Sequence, residues 1–352
     1  MKKNWLKKLK RIKPENIDRS KFLRLDKNER VVDFEKSFIS YLKKSINTFQ
    51  LTAYPDIDKI YSLLAKKYKL SKNMICLTAG SDVALKTCFE YFTRENDRII
   101  TLTPTFGMVE VYSKLYNLKN IQINYDKNLK LNLKKLILNI KKNISLVIIA
   151  NPNSPTGTII NPKKLEKIIK KSNRLKVPVV IDEAYYGFYK FSYIKHIKKY
   201  SNLIITRTFS KVFGLAGLRA GFLVANPSVA KNLYKYKPMY EINSLSCLAI
   251  EFLLKNQKII TKHLKEVSQG KKFLIKELKR MNYDFIDTYG NFFHINFGKN
   301  RNNFEKILRK NKILVRKGPG VKGFEGYLRL SLGSKHHMKK ILQLIKKVKK
   351  YE

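Results

Sequence analysis

The sequence predicts an α/β fold on a mainly parallel sheet, followed by a smaller α+β unit. Three observations predict it. The apolar runs LVIIA (146–150), VPVVIDEA (177–184) and LIITRT (203–208) are continuous and bounded by turn signals, as expected of parallel strands buried on both faces. A helical pattern carrying Leu165, Ile168 and Ile169 separates the first two runs, so strands alternate with helices and right-handed crossovers follow. From about residue 250 the pattern changes to a long basic helix, the strands FFHINF and YLRLSLG, and a closing helix.

Taken in order, residues 1–20 are basic, with Trp5, Leu9 and Ile12 at roughly helical spacing. Such a segment lies on a membrane surface or, more often, packs on its own protein or on a partner subunit. It has no apolar stretch of the secretory type. No run of eighteen apolar residues occurs, so no membrane-spanning helix is expected. After Gly80 a helix is expected with Leu85, Cys88, Phe89 and Phe92 on one face. Cys76, Cys88 and Cys247 are widely spaced and form no CxxC. They suit a reducing cytoplasm and argue against a disulfide framework or zinc site. The five histidines have no metal-ligand spacing.

The chain has 352 residues and is 44% hydrophobic, enough for a sizeable core. It carries 74 Lys and Arg against 26 Asp and Glu, a formal charge of +48. That excess admits a nucleic-acid or anionic-membrane partner. The lysines are instead spread along the chain, mostly on helix faces such as PKKLEKIIKKSNRLK, with no nucleic-acid motif to organise them. A lysine-rich solvated surface accounts for this, and its field favours anionic substrates.

Four stretches carry residues suited to chemistry. In TAGSDVALKTCF, Ser81 and Asp82 open a helix after a strand; free amides there bind phosphate, although Ser and Asp also serve as ordinary caps. NPNSPTGT (151–158) turns the chain at a strand's C-terminal end, where ligands of open α/β sheets bind, or is a structural loop. In IDEAYYGF, Asp182 ends a buried strand and needs a partner, either a cationic ring nitrogen or a structural Arg. Tyr185 follows three residues on, within reach of the same ligand. In TRTFSKVFGLAGLRAGF, Thr208, Ser210 and Arg219 suit a phosphate. Lys211 among positive neighbours is either an activated amine or one more surface lysine. GPGVKG holds Gly318, Gly320 and Gly323 in a literal GxGxxG, but between two strands rather than before a helix, so it is not a dinucleotide site.

Together, NPNxPTG, then DEAY, then SKxFGLAGLRxG resemble the fold-type I pyridoxal-phosphate enzymes, and among them the histidinol-phosphate aminotransferase-like group. The resemblance runs from LDKNE at 25–29 to LRLSLG at 328–333. It implies a large domain with a seven-stranded sheet at 46–245, a small domain at 246–352, and an N-terminal segment, 1–45, that joins the small domain. It implies pyridoxal 5'-phosphate as cofactor, with Lys211 attached to it and later shuttling the substrate's proton. Asp182 would pair with the ring nitrogen and Tyr185 with the ring O3′. Ser81, Asp82, Thr208, Ser210 and Arg219 would form the phosphate cup. Phe106, in TPTFGM, would stack on the ring. Tyr54, in AYPD, would reach the phosphate of the neighbouring subunit, which implies a homodimer. Arg329 would clamp the substrate's carboxylate, and Asn28 lies in the segment that usually closes over the substrate. Arg316, thirteen residues before Arg329, matches a pair that in histidinol-phosphate aminotransferases binds a phosphorylated substrate and glutamate in turn; it also reads as a solvated strand-end charge.

Three positions depart from the group's pattern. Ser154 stands where Asn is common before PTG and helps hold O3′. Phe106 stands where Tyr is frequent. KNER replaces the common NENP. These point to a divergent substrate rather than a lost cofactor. The expected activity is amino transfer between an amino acid such as glutamate and a small phosphorylated carbonyl compound, of the histidinol-phosphate or serinol-phosphate kind. Decarboxylation of O-phosphoserine or O-phosphothreonine is the alternative. A basic nucleic-acid-binding protein on an enzyme fold is the remote one.

Overall fold

The computed structural model describes residues 4–9 and 15–349. A two-residue strand, β1 (Leu23–Arg24), precedes the main sheet. Seven strands then form that sheet: β2 (Ile75–Thr78), β3 (Arg98–Thr103), β4 (Lys119–Asn124), β5 (Ile144–Ala150), β6 (Val179–Asp182), β7 (Leu203–Thr208) and β8 (Gly221–Val224). Their order is β2-β8-β7-β6-β5-β3-β4. The pairs from β4 across to β7 are all parallel, and β8 runs antiparallel to β7 and β2. The mainly parallel seven-stranded sheet expected from the sequence is therefore present. The run 177–184 is shorter as a strand than its apolar pattern suggests. Pro178 cannot donate to a ladder, and beyond Asp182 the chain enters a turn closed by the Tyr186 amide on the Glu183 carbonyl.

The continuous apolar runs exist because both sheet faces are covered. Val147 and Ile149 of β5 join one buried cluster, with Val179, Ile181, Leu203 and Ile205. Leu146 and Ile148 join the other, with Val180, Ile204 and Leu223. Helix Ser81–Phe92 covers the second face through Leu85, Cys88 and Phe89, while Phe92 is only half-buried there. Helix Pro162–Arg174 covers the first face through Leu165, Ile168 and Ile169.

The later part of the chain builds a second sheet from β9 (Phe285–Ile286), β10 (Phe292–Asn296), β12 (Arg316–Lys317) and β13 (Tyr327–Ser331), in the order β12-β13-β10-β9 and wholly antiparallel. A further two-residue strand, β11 (Ile313–Leu314), pairs in parallel with β1. The Ser331 amide also donates to the Leu25 carbonyl, so the N-terminal segment is laced to this sheet. The glycines of 318–323 join β12 to β13 and precede no helix.

Helix Ser244–Lys255 buries Ala249, Ile250 and Leu253 in the main core, and Ile259 and Ile260 of the next helix, Gln257–Arg280, pack there too. Val267, Leu274 and Leu278 of that second helix belong to the core of the small sheet. Packing thus crosses the expected limit at 245/246, and we propose that the units change inside helix Gln257–Arg280. Near the N-terminus, the Trp5 indole donates to the Leu115 carbonyl, so residues 4–9 pack on the protein itself; Ile12 lies outside the described residues. Among the described residues no helix is long and apolar enough to cross a membrane, and no cluster of His, Cys, Asp or Glu fits a metal.

Helix Gln257–Arg280 runs close to the chain at Gly333. A Cβ on Gly270 would lie 2.0 Å from the Gly333 carbonyl oxygen. Ala in place of Gly inside a helix ordinarily gains about 1 kcal/mol. Here Gly270→Ala is expected to destabilise by roughly 1–3 kcal/mol, because overpacking against backbone outweighs propensity. Urea unfolding of the two proteins checks the sign.

Candidate active site

The C-terminal ends of the parallel strands converge on one cleft, the place where open α/β sheets bind ligands. β6 ends there on Asp182, β7 on Thr208, and β5 on Ala150 just before NPNSPTGT.

Asp182 is 4% exposed. Its Oδ1 accepts the Thr206 hydroxyl at 2.8 Å, and the Ala184 amide also holds it. Burial pushes its pKa up to about 6 in spite of those two donors, and the nearby charges, Glu183 and Asp82, carry its own sign. Glu183 has a cation of its own. Arg207 donates to its Oε2 at 2.7 and 3.0 Å and is covered by the Tyr186 ring at 3.5 Å. So Arg207 serves Glu183, and Asp182 is left facing the cleft.

Lys211 reaches the same cleft. Its Nζ donates to the carbonyls of Lys27 at 3.0 Å and Asn28 at 3.1 Å. The residue is half-exposed, yet it lies deep among protein atoms. That desolvation, with the positive charges of Arg329 and Arg219, pushes its pKa down, while Tyr185 and Glu29 oppose the shift. Tyr185 lies beside it, with the Lys211 Nζ 5.9 Å from its ring centre. Asn28, 3% exposed and held at φ 54°, donates its amide to the Tyr185 hydroxyl at 2.8 Å. Asn28 is in turn fixed by Ser331 and Asn291.

A second group forms an anion cradle. Helix Ser81–Phe92 starts at Gly80 without a side-chain cap, which leaves its first amides available to an anion. A Cβ on Gly221 would lie 2.7 Å from the Ser81 amide nitrogen and 2.6 Å from the Arg207 carbonyl oxygen, so glycine lets β8 approach this helix start. Arg219, at φ 50°, reaches the Ser210 hydroxyl at 3.4 Å. The Ser210 amide donates to the Thr208 hydroxyl at 3.0 Å. Asp82 is tied to the Tyr112 hydroxyl at 2.7 Å. It is therefore directed at helix Gly107–Leu115, whose N-cap is Phe106.

Arg329 sits in β13 opposite Arg316 of β12 and His294 of β10. It is 8% exposed, donates Nη2 to the Asp26 carbonyl at 2.9 Å, and has no partner for Nε among the described residues. Burial lowers its pKa, and Arg316 adds to that. Burial also drives His294 down to about 3, so it is neutral beside Arg329. Its Nε2 meets the Pro155 carbonyl at 2.9 Å. The Tyr289 amide meets the Gly157 carbonyl. A Cβ on Gly157, at φ 75°, would sit 2.2 Å from the Thr288 Cβ. The small sheet is thus seated on the NPNSPTG loop.

The structure brings most residues singled out in the sequence to this cleft. Two stand apart from it in hydrogen bonding. Ser154 makes no side-chain hydrogen bond among the described residues; its neighbour Asn153, wholly buried, braces the loop through Thr105, Pro104 and Thr156. Tyr54 is 78% exposed and stacks on Tyr240 at 4.4 Å. Sequence reasoning missed Thr206, Asn291, His294 and the Arg207–Glu183 pair. Thr206 and the Arg207–Glu183 pair depend on the register of β6 with β7, whereas Asn291 and His294 act through contacts with Asn28 and Pro155 that no local pattern carries.

The donor set fits pyridoxal phosphate: a buried carboxylate with no cation beside it among the described residues, an amine with a lowered pKa, and an uncapped helix start beside an Arg. Without cofactor, Asp182 penalises the fold when ionised. The penalty is full above pH 6 and disappears as pH falls towards the ordinary value of 3.8. Asp182→Asn is therefore expected to stabilise the cofactor-free protein by up to about 3 kcal/mol near pH 7.5. The difference should vanish below about pH 4. Denaturant unfolding across that range checks it; a variant less stable than the parent at pH 7.5 would contradict it.

The family model for Aminotransferase class I and II matches residues 22–348. Histidinol-phosphate aminotransferase of Clostridium novyi is 32% identical over 345 residues, covering 97% of this chain and 96% of its own. The enzyme of the same name from Buchnera aphidicola subsp. Cinara cedri is 32% identical, covering 88% and 89%. Among solved structures, histidinol-phosphate aminotransferase from Sinorhizobium meliloti, in complex with pyridoxal-5'-phosphate, has the same fold, with a TM-score of 0.86, 18% identity and 98% of each chain covered. The chain therefore belongs to the class I and II aminotransferases and is a pyridoxal-phosphate-dependent enzyme that transfers amino groups.

Proposed function

We propose that this aminotransferase acts on a small phosphorylated amine of the histidinol-phosphate kind, with glutamate and its 2-oxo acid as the other pair. The observation that carries the reading is the register of Arg316 with Arg329 beside the Lys211 cleft. Two guanidinium groups side by side suit a substrate with more negative charge than one carboxylate. The unpaired Arg329 Nε is a ready donor to it. The names of the relatives support the same substrate class.

Each residue has a task in this reading. When bound, pyridoxal phosphate supplies an electron sink for the bonds at the substrate's α-carbon. Asp182, when ionised, would hold the ring nitrogen as a cation. The Tyr185 hydroxyl accepts from Asn28, so its own hydrogen is left for the ring O3′. The first amides of helix Ser81–Phe92, with Asp82 at its start and Thr208, Ser210 and Arg219 opposite, cradle the phosphate. Phe106 would cover the ring, and Ser154 would add little to O3′. Lys211 would hold the cofactor, and as a free neutral amine its lone pair would take the α-proton; the Lys27 and Asn28 carbonyls orient its hydrogens. Its lowered pKa raises the neutral fraction near pH 7. The segment 26–30 holds Lys27 and Asn28 against Lys211 and Tyr185, where it would exclude water from a bound substrate.

A second copy of the chain completes the site. Phe49, Leu51, Tyr54, Met239 and Tyr240 are exposed apolar groups, and Tyr54 stacks on Tyr240. In a homodimer they would be covered, and Tyr54 of the partner subunit would reach the cofactor phosphate. Unpaired Cys76 and Cys88, both buried, suit a cytoplasmic enzyme.

An amino-acceptor screen with glutamate as donor tests the reading, using phosphorylated and unphosphorylated ketones and aldehydes. Phosphorylated acceptors are expected to dominate. Arg329→Ala is expected to raise KM for anionic substrates by roughly 10- to 100-fold, the worth of a charge-assisted hydrogen bond, with pyridoxal-phosphate affinity nearly unchanged. Equal loss of both would place Arg329 elsewhere. Carbon dioxide release from O-phosphoserine or O-phosphothreonine, with no 2-oxo acid required, would contradict the substrate reading.

A further inference from the structure

We propose that Thr206 is a positioning residue of this enzyme, whose hydroxyl fixes the Asp182 carboxylate as an oriented anion facing the cofactor's ring nitrogen. The proposal rests on the reading that Asp182 meets that nitrogen. β6 and β7 are parallel, and Asp182 and Thr206 are direct register partners at the end of the ladder. The side chains below them on that face are apolar: Val180 on β6 and Ile204 on β7, both fully buried in one cluster. Thr206 is itself fully buried. Packing alone at this position would be satisfied by valine, which has the same shape. A buried hydroxyl there needs an acceptor, and its acceptor is Asp182 Oδ1 at 2.8 Å.

The surroundings make that donor decisive. Asp82, from helix Ser81–Phe92, and Glu183, next in the chain, both disfavour a second negative charge. Glu183 is neutralised by Arg207, and Asp82 is held by the Tyr112 hydroxyl. The Ala184 amide is the other group that favours the anion. Burial already pushes Asp182 up to about 6, so losing one of two donors moves it further towards the neutral form. A protonated Asp182 would present no anion to the ring nitrogen. The oxygen that Thr206 engages is Oδ1.

The test reads the carboxylate itself in the cofactor-free protein. Infrared difference titration, with Asp182→Asn subtracted to isolate the band, gives the Asp182 midpoint in the parent, Thr206→Val and Thr206→Ser. Valine is expected to raise the midpoint by about one pH unit or more, and serine to restore it. An unchanged midpoint in Thr206→Val, or a rise that serine does not reverse, would overturn the proposal. Should Thr206→Val fail to fold, Thr206→Cys, a weaker donor of similar size, is expected to give a smaller rise, and no rise would overturn it equally. The pyridoxal-phosphate dissociation constant of Asp182→Asn separates the underlying reading. Affinity equal to the parent's would overturn the ring-nitrogen half, while the titration alone decides the Thr206–Asp182 half.

Discussion

A carboxylate at the end of a fully buried strand, with no cation set against it among the described residues, is the constraint on which this cleft depends. Asp182 and Glu183 are adjacent, both buried, and treated oppositely. Glu183 is closed off by Arg207, Ser192 and the Tyr193 amide. Asp182 receives only neutral donors. Burying an ion without a counter-ion is costly, and the arrangement makes sense when a cationic ring completes it. The stability sacrificed in the cofactor-free protein is then recovered on binding.

The second dependence runs through the N-terminal segment. It pairs with the small sheet through β1 and through Leu25, and it presents the Lys27 and Asn28 carbonyls to Lys211. The same Asn28 side chain holds Tyr185. Residues from the chain's start, its centre and β13 therefore meet around one amine. The amine differs from the many solvated lysines by its surroundings, not by its chemistry. Desolvation and two neighbouring guanidinium groups favour its neutral form, which is the form that attacks a carbonyl or takes a proton.

Much of this was legible in the sequence, for identifiable reasons. Runs such as LVIIA and LIITRT read as strands because two covered faces leave no polar positions. Asp182 stood out because it ends a buried strand, and Lys211 and Arg219 because they lie with two hydroxyls in the run after another. What escaped depends on pairing between distant strands. Thr206 is one more residue in an apolar run until β6 and β7 are set in register. His294 looks like a strand histidine until Pro155 of the loop meets it. The extent of the main core escaped for a related reason. Helix Ser244–Lys255 is apolar on a face whose partner, helix Asp58–Tyr68 with its buried Ile60 and Leu64, lies far back in the chain. Ser154 stands where Asn commonly holds the ring oxygen, and Asn153 is the residue that braces the loop.

The central claim is that one lysine in a chain of +48 charge holds the cofactor, and that its place in the cleft selects it. Borohydride reduction of the pyridoxal-phosphate-loaded protein, followed by peptide mapping, fixes the covalent lysine–cofactor bond where it stands. The account expects one labelled peptide, carrying Lys211, at one cofactor per chain. Label spread over surface lysines, or concentrated on a lysine other than Lys211, would contradict it.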